Sequence, residues 1–284
     1  MYAFTGTLRT QGCTYGHTTN SFFQERVVLI LTKQQFIEQL QALGVRKGMD
    51  LLVHSSLRRV GPVEDGADGI IDAMKELIGP DATLMMSTVS GNVNREQPVF
   101  HVLLTPSTVG TLGNVFRKRP GAVRSLHPVH SIVAMGPKAE FYTEGHLQSR
   151  TPWSPDSPYG RIMRNGAFLL FLGCDFAANT CCHAIEIEAR VPGLHTEETT
   201  TLYVIDADET MHTIEHHWHA PKRPRYTDLE QIVEKASGLA YGFVGEGVSR
   251  LVDAGKLRES LLPLFRERPE LGCIRLTDSQ FVWE

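Results

Sequence analysis

Short apolar runs alternate with segments of helical periodicity along most of this chain, and this order constrains its fold more than any other feature. Four apolar runs are predicted strands: 50–54, 83–89, 131–135 and 168–173. Amphipathic segments between them are predicted helices: 67–78, 109–117 and 138–146. Strands that alternate with helices are typical of a three-layer α/β domain, in which helices cover both faces of a mainly parallel sheet.

The segments that flank this core extend the same domain. A first helix is predicted from Thr32, because Thr32 and Gln35 have the spacing of a capping box and Phe36 and Leu40 follow at helical spacing. Further along, 200–207 and 210–219 predict an added antiparallel β-hairpin, and 228–236 and 256–266 predict helices. We expect one domain over residues 1–284, with a leader at 1–30 and a hairpin region at 195–235.

Composition excludes several classes of protein. The chain has 28 Lys and Arg against 32 Asp and Glu, a formal net charge of −4, and no dense basic stripe, so no nucleic-acid partner is expected. The longest apolar runs, 27–31 and 167–172, are far shorter than the ~18 residues that span a bilayer, so no membrane association is expected.

Cysteine usage and the first residues point to a reducing compartment. Five cysteines, two of them adjacent, do not form the pattern of a disulfide framework. The N-terminus has no basic segment followed by an apolar stretch, so no signal peptide is expected. We expect a cytoplasmic protein. The oligomeric state stays open, with a homodimer as one alternative.

The first polar motif, His54-Ser55-Ser56-Leu57, follows the first predicted strand. In parallel sheets, ligands bind at the loops that leave the C-terminal strand ends, and exposed hydroxyl and backbone N–H donors there suit a phosphate or pyrophosphate. The alternative is an ordinary strand-to-helix turn. The chain has no G-x-G-x-x-G and no Walker A sequence, which disfavours the common dinucleotide and nucleoside-triphosphate enzymes.

Two further motifs concentrate titratable groups. Arg124, Ser125, His127 and Ser131 precede a predicted strand, and the alternative interpretation is a polar loop. Residues 179–186 follow the buried strand at 168–173.

In that second motif, Asn179 or Thr180 can cap a helix, and His183 and Glu186 then lie on one helical face because they are three residues apart. A histidine at such a junction is suited to general-base catalysis, although a structural histidine packed on the sheet is the alternative.

Two other interpretations are weaker. Cys182 and His183 are consecutive in a predicted helix, so their side chains point about 100° apart and cannot readily form a nucleophilic pair. Glu215, His217 and His219 share one face of a predicted strand and have the chemistry of zinc ligands, but no C-x-x-C or H-E-x-x-H motif accompanies them. We expect no metal requirement.

Taken in order, four segments resemble the aminoglycoside 3-N-acetyltransferase family, the antibiotic N-acetyltransferases outside the GNAT superfamily. These segments are VHSSLRRVG at 53–61, PVFHVLLTPSTVGTLGNVFRKRPGAVRSLHPVHS at 98–131, TPWSPDSPYGRI at 151–162 and LGCDFAANTCCHAIE at 172–186. The resemblance covers about 31–271 and implies an antibiotic N-acetyltransferase-like fold, with acetyl-CoA as co-substrate and an amine as acceptor.

The resemblance also implies roles for individual residues. Contacts to coenzyme A, from the pantetheine arm to the thioester, are implied for His54, Ser55, Ser56, Leu57, Ser107, Val109, Arg124, Ser125, His127 and Ser131. His183 matches the family's catalytic histidine, with Thr180 and Glu186 as motif neighbours. A downstream carboxylate is implied to support that histidine, and Asp228 and Glu230 both remain candidates.

The expected mechanism is direct transfer. His183 takes a proton from the acceptor amine, which then attacks the acetyl carbonyl without an acyl-enzyme. The 3-amino group of an aminoglycoside is the leading acceptor. Ala177 and the lack of a long acidic insertion leave the acceptor open, and an acyltransferase of this fold that acts on another amine such as an amino sugar is one alternative. A non-catalytic CoA-binding protein is the other.

Overall fold

The computed structural model of the chain describes residues 30–149, 151–220, 222–224, 226–277 and 280–282. The predicted leader therefore lies, except for residue 30, outside the described residues. The strands are β1 (Leu51–Ser55), β2 (Leu84–Val89), β3 (Val99–His101), β4 (Val123–Arg124), β5 (His130–Met135), β6 (Phe168–Leu172), β7 (His195–Ile205), β8 (Met211–His219), β9 (Lys222–Pro224), β10 (Leu239–Val244), β11 (Gly247–Asp253), β12 (Cys273–Thr277) and β13 (Gln280–Val282).

Helices occupy much of the chain between these strands. The α-helices are α1 (Lys33–Leu43), α2 (Leu57–Val60), α3 (Gly66–Ile78), α4 (Thr111–Phe116), α5 (Ala139–Thr143), α6 (Pro158–Ile162), α7 (Cys181–Ala189), α8 (Glu230–Lys235) and α9 (Ala254–Glu267). Short 3₁₀ helices lie at Phe176–Ala178, Tyr226–Leu229 and Pro269–Leu271. No α-helix in the described ranges combines the length and the apolar character that a membrane span needs.

The largest sheet has seven strands in the order β10-β11-β6-β1-β2-β5-β4. The central strands β6, β1 and β2 pair in parallel, whereas β5 and β11 run in the opposite direction. Because β4 and β10 are antiparallel to β5 and β11, five of the seven strands point the same way. The predicted α/β class with a mainly parallel sheet is confirmed, but parallel pairing is confined to the central three strands.

Alternation along the strands divides the core into two layers, one on each face of the sheet. Leu51 and Val53 of β1 pack with α1, α3 and α4, whereas Leu52 packs on the other face with α5 to α9. Successive strand side chains point to opposite faces, so an unbroken apolar run such as that of β1 fills both layers. This is the three-layer arrangement that the sequence predicts.

A smaller sheet carries the predicted hairpin. β7 and β8 are antiparallel, and β3 joins the outer side of β7 in parallel. The Asp206 side chain accepts hydrogen bonds from the backbone N–H groups of Asp208 and Thr210, both at 3.0 Å, which fixes the turn. At the open end of the hairpin, His195 is the register partner of His219. β9, β12 and β13 form a third sheet.

Local sequence signals account for the element boundaries nearest the site. The Thr32–Gln35 capping box is present at the start of α1, as predicted. β6 ends at Gly173, whose φ of 66° and tight surroundings exclude a side chain, since a Cβ there would lie 2.9 Å from Val60 Cγ2. The chain can therefore leave β6 sharply and reach the start of α7.

Candidate active site

A cavity of about 250 Å³ opens at the C-terminal ends of the three parallel strands. Ser55 of β1, Ser87 of β2 and Thr180 after β6 all line it. Val109 and Gly110, which precede α4, form another wall, and His183 and Tyr226 complete it. This is the strand edge at which ligands bind in open α/β sheets.

His183, in the third position of α7, is held by two buried groups. Its Nδ1 lies 2.9 Å from Glu186 Oε2, and the Tyr226 hydroxyl lies 2.7 Å from the same nitrogen. Tyr226 also donates to Glu186 Oε2 at 2.8 Å. With Glu186 Oε2 as the acceptor, Nδ1 of His183 carries the proton and Nε2 keeps the lone pair. The imidazole is thus fixed in the tautomer that a general base requires.

Aromatic packing fixes the ring of His183 as well. The ring centroids of Trp153 and His183 are 4.6 Å apart, and His219 lies at the same distance on another side of His183. Trp153 is only 2% exposed and also stacks near His130 and His195. The loop before α6, the helix α7 and the hairpin β7–β8 therefore meet at this histidine.

Two buried polar side chains beside the cavity have hydrogen-bonding capacity to spare. His54 stacks on Phe171 and lines the cavity, and burial lowers its pKa to about 4, so it is neutral at pH 7. Its Nε2 has no hydrogen-bond partner among the described residues. Asn179, which is 1% exposed, uses Oδ1 to accept from the Cys181 backbone, while its Nδ2 has no partner in the described part of the chain.

The predicted CoA-binding residues near β1 divide into two sets. Ser55 and Val109 line the cavity together with His54, as expected of groups that border a ligand. Ser56 and Leu57 instead begin α2, where the backbone N–H of Ser56 donates to Leu172 of β6. Ser107 is buried, and its hydroxyl is engaged with the backbone of Val89 and Val109. None of these three residues lines the described cavity.

Arg124 is placed differently from the prediction. Its guanidinium is buried, stacks 4.7 Å from the centroid of Phe100, and donates from Nε to Ser131 and from the two terminal nitrogens to four backbone or hydroxyl oxygens. All five N–H donors are therefore used within the protein. Burial lowers the pKa of Arg124 to about 9, with a smaller effect of Arg117. In this arrangement Arg124 joins loops together and has no donor left for a phosphate.

Ser125, His127 and Ser131 belong to the same buried network and do not line the cavity. The Ser125 hydroxyl lies 2.8 Å from His146 Nδ1, and His127 Nδ1 accepts from two backbone N–H groups. Burial, followed by the neighbouring histidines, lowers the pKa of His127 well below its ordinary value. Contact of this motif with a thioester was expected, and the structure instead places it in the interior.

The carboxylate that contacts His183 is Glu186, which is fully buried. Glu230 is committed elsewhere, because its two oxygens accept from the Phe176 backbone and from Arg250 Nε, both at 3.0 Å. Asp228 is exposed on the 3₁₀ helix at Tyr226–Leu229. The downstream segment reaches the histidine through the Tyr226 hydroxyl.

The structure also bears on the two weaker interpretations, a nucleophilic cysteine and a zinc site on β8. Cys181 is fully buried, and burial raises the pKa of its thiol, which disfavours a nucleophilic thiolate. Two of the three residues considered as zinc ligands on β8 have other partners: Glu215 accepts a hydrogen bond from Thr201, and His217 contacts the Thr196 carbonyl. His219 instead faces His183 of another element.

Two residues of this site were missed by the sequence analysis. Trp153 lies within the segment TPWSPDSPYGRI, and Tyr226 is two residues from Asp228, so both were close to residues already under consideration. A large aromatic residue in a segment is more often a core residue than a site residue. No pattern in one sequence distinguishes these two from other buried aromatic residues.

The sequence is similar to a known protein family and to several of its members. The model of the aminoglycoside 3-N-acetyltransferase family matches residues 52–265. The aminoglycoside N(3)-acetyltransferase IV of Salmonella sp is 39% identical over 162 residues, 56% of this chain and 60% of that protein. The aminoglycoside N(3')-acetyltransferase-like protein YokD of Bacillus subtilis (strain 168) is 33% identical over 183 residues, 57% of this chain and 66% of that protein. The chain thus matches somewhat less than two thirds of the length of these relatives.

Solved structures agree over more of the chain. The apoenzyme of aminoglycoside acetyltransferase AAC(3)-IVa superposes with a TM-score of 0.77 at 29% identity, over 87% of this chain and 93% of that one. A mutant form of the same enzyme in complex with a gentamicin superposes with a TM-score of 0.76 at 29% identity, over 86% of this chain and 92% of that one. The binary complex of AAC-IIIb with CoASH superposes with a TM-score of 0.73 at 25% identity, over 84% of this chain and 98% of that one.

Proposed function

Because the chain belongs to the aminoglycoside 3-N-acetyltransferase family, we propose that it transfers an acetyl group from acetyl-CoA to an amine. The observation that carries the proposal is the position of His183, anchored through Nδ1 beside a cavity at the ends of three parallel strands. The complex of AAC-IIIb with CoASH supports coenzyme A as the carrier, since the two chains share their fold.

The chemistry begins at the acceptor nitrogen. An alkyl ammonium has no lone pair, so it must lose a proton before it can attack a thioester. His183 Nε2 takes that proton, and Glu186 stabilises the imidazolium through the hydrogen bond at Nδ1. The free amine then forms the C–N bond while the C–S bond breaks, and the departing thiolate of coenzyme A takes up the second proton that the nitrogen loses as it becomes an amide. No acyl-enzyme is needed, and both substrates are bound at once.

The thioester oxygen gains negative charge during attack and requires preorganised donors. Ser125 and Ser131 are engaged in the buried network, whereas the Thr180 hydroxyl borders the cavity beside Asn179. Thr180 is therefore the better candidate of the three hydroxyl groups considered. The unpartnered Nδ2 of Asn179 is a second donor at the same wall of the described cavity.

The proposed acceptor is the 3-amino group of an aminoglycoside. The names of several relatives and the complexes of similar proteins with a gentamicin, apramycin and sisomicin support this substrate class. A specific observation keeps a second acceptor class in view, because the described residues that line the cavity include no carboxylate. A polycation gains most from several nearby negative charges, so a less charged amino sugar is the alternative acceptor.

The deciding experiment is release of the CoA thiol from acetyl-CoA with a panel of aminoglycosides, amino sugars and simple amines. We expect turnover with aminoglycosides that carry a 3-amino group, and a decrease in kcat of roughly 10²-fold or more in His183→Gln. A matched control is His212→Gln, which removes a histidine paired with Asp206 on the same domain. Turnover by His183→Gln at the wild-type rate would exclude His183 as the general base. No turnover of any amine by the wild type would favour a non-catalytic CoA-binding protein.

A further inference from the structure

We propose that His183 and His219 form a binding site for a divalent transition-metal cation, Zn²⁺ above all, with Glu186 as the third member of the site. The two imidazoles come from different elements, α7 and β8, and their ring centroids are 4.6 Å apart at an angle of 62°. One potential ligand atom from each of His183, His219 and Glu186 lies within 4.8 Å of the other two. That spacing brings two imidazoles and a carboxylate from separate elements into one cluster.

Hydrogen bonds orient both rings in the way that metal sites require. His183 is anchored through Nδ1 to Glu186, and His219 is anchored through Nδ1 to the Ala220 carbonyl at 3.1 Å. Metal-binding histidines characteristically donate their other ring N–H to a carboxylate or a backbone carbonyl, which fixes the tautomer and raises ligand basicity. In both residues Nε2 is therefore the nitrogen that carries the lone pair.

The lone pair of His219 accepts no hydrogen bond within the described part of the protein. Nε2 of His219 is buried and has no hydrogen-bond partner among the described residues. Buried polar atoms are nearly always satisfied, so an orphaned acceptor calls for an explanation such as an ion. His195 is the register partner of His219, and the centroids of their two rings are 5.9 Å apart.

The donor set selects the class of cation. Imidazole nitrogen suits Zn²⁺, Cu²⁺ and Ni²⁺, whereas Mg²⁺ and Ca²⁺ prefer oxygen ligands. The Glu186 carboxylate is hydrogen-bonded to Nδ1 of His183, so it supports the ion through that ring and not as a direct ligand. The remaining coordination positions are left to solvent or to a substrate group.

Occupancy of the site has a chemical consequence that rests on the proposed function. The lone pair of His183 Nε2 cannot bind a metal ion and accept a proton from the amine at the same time. Zn²⁺ should therefore inhibit acetyl transfer reversibly, and a chelator should restore it. The metal acts here as an inhibitor of the base and not as a requirement of the reaction.

The test is a titration of the full chain, freed of metal by chelator, with Co²⁺ as a spectroscopic probe and Zn²⁺ as a competitor. We expect visible d–d absorption that saturates at one equivalent, is displaced by Zn²⁺, and weakens by at least about tenfold in affinity in His219→Gln. The control is His212→Gln on the same strand, whose ring pairs with Asp206. Equal Co²⁺ affinity in the wild type and His219→Gln, or no absorption band in the wild type, would overturn the site.

A second measurement does not depend on how the variant folds. Wild-type crystals soaked with Zn²⁺ should give an anomalous difference peak between His183 and His219, and its absence at full soaking concentration would refute the site. Both readouts are independent of turnover. Metal binding by a protein that acetylates no amine would keep the site and reject the proposed function, whereas turnover without metal binding would do the reverse.

Discussion

Removal of the Tyr226 hydroxyl tests the contact that orients His183. The ring of Tyr226 is 1% exposed and packs in the core, so Tyr226→Phe keeps the packing and deletes one oxygen. That oxygen lies 2.7 Å from His183 Nδ1 and 2.8 Å from Glu186 Oε2. The variant leaves the carboxylate and the imidazole in place and removes the group that bridges them.

The size of the effect follows from these contacts. A hydrogen bond to a charged group contributes about 1.5–3 kcal/mol, and each 1.36 kcal/mol in activation free energy changes a rate tenfold. Full loss of the bond in the transition state would therefore lower kcat by roughly 10- to 150-fold. Glu186 still accepts from His183 Nδ1 in the variant, which preserves the tautomer, so we expect a decrease near tenfold. Acetyl-CoA affinity should stay within about twofold, because the Tyr226 hydroxyl is engaged by His183 and Glu186.

The assay is steady-state thiol release at saturating acetyl-CoA, with thermal unfolding measured in parallel. Tyr142→Phe is the matched control, since the Tyr142 hydroxyl is also a buried donor to a carboxylate, that of Asp50, at 3.0 Å. Both variants should lose similar stability, and only Tyr226→Phe should lose kcat. If both variants keep kcat within about twofold of the wild type, Tyr226 does not orient the base and the argument from geometry is wrong.

Three other perturbations give distinct expectations. Arg124→Met should lower the free energy of unfolding by roughly 3 kcal/mol or more in urea titrations, because it leaves several buried acceptors unpaired; a change below about 1 kcal/mol would contradict the network. Cys181→Ala combined with Cys182→Ala should retain acetyl transfer, and an acetyl-cysteine found by mass spectrometry in the wild type would overturn direct transfer. Burial lowers the pKa of His54 to about 4 and that of His146 to about 3, so each is neutral in the folded state. The unfolded chain takes up these protons below about pH 6.5, and stability should therefore fall with decreasing pH by up to about 1.4 kcal/mol per pH unit for each histidine. A urea midpoint that is flat between pH 7 and 5 would refute this.

Periodicity and caps were sufficient to predict the elements that carry the core. The apolar run at β1 and the amphipathic face of α3 were identified because their burial follows the strand and helix periods. The hairpin β7–β8 was predicted from its two alternating segments and the polar turn between them, although β7 begins five residues earlier, at His195. These are local properties, and tertiary contacts reinforce them.

Strand direction was harder to predict, because the period of a strand is the same in either direction. β5 runs antiparallel to β2 since the two-residue strand β4 precedes it and pairs with it through a short connection. A strand of two residues has no measurable pattern. The hairpin β10–β11 was missed for a related reason: its exposed apolar residues, Phe243 and Val248, do not alternate cleanly with polar ones.

The candidate site shows the same limit. Spacing within one helix was enough to pair His183 with Glu186, because three residues bring two side chains to one face. Nothing local indicates that His219, thirty-six residues further along by sequence number, lies against that ring. In the Arg124 motif, polar residues that cluster in the sequence form hydrogen bonds with one another in the interior, which no pattern in the sequence indicates.

Hydrogen bonding distinguishes His183 and His219 from the buried His146, whose two ring nitrogens are both engaged. His146 is as buried as any site histidine, but Nδ1 contacts Ser125 and Nε2 contacts the Pro152 carbonyl, so neither nitrogen is available. Among the residues that the structure describes, His183 and His219 each find a hydrogen-bond partner for Nδ1 alone, and each keeps the Nε2 lone pair. A ring with one anchored and one unused nitrogen is fixed in orientation and still able to accept a proton or a metal ion. The two functions proposed for this edge of the sheet, proton transfer and metal binding, therefore both depend on the Nε2 lone pair of His183.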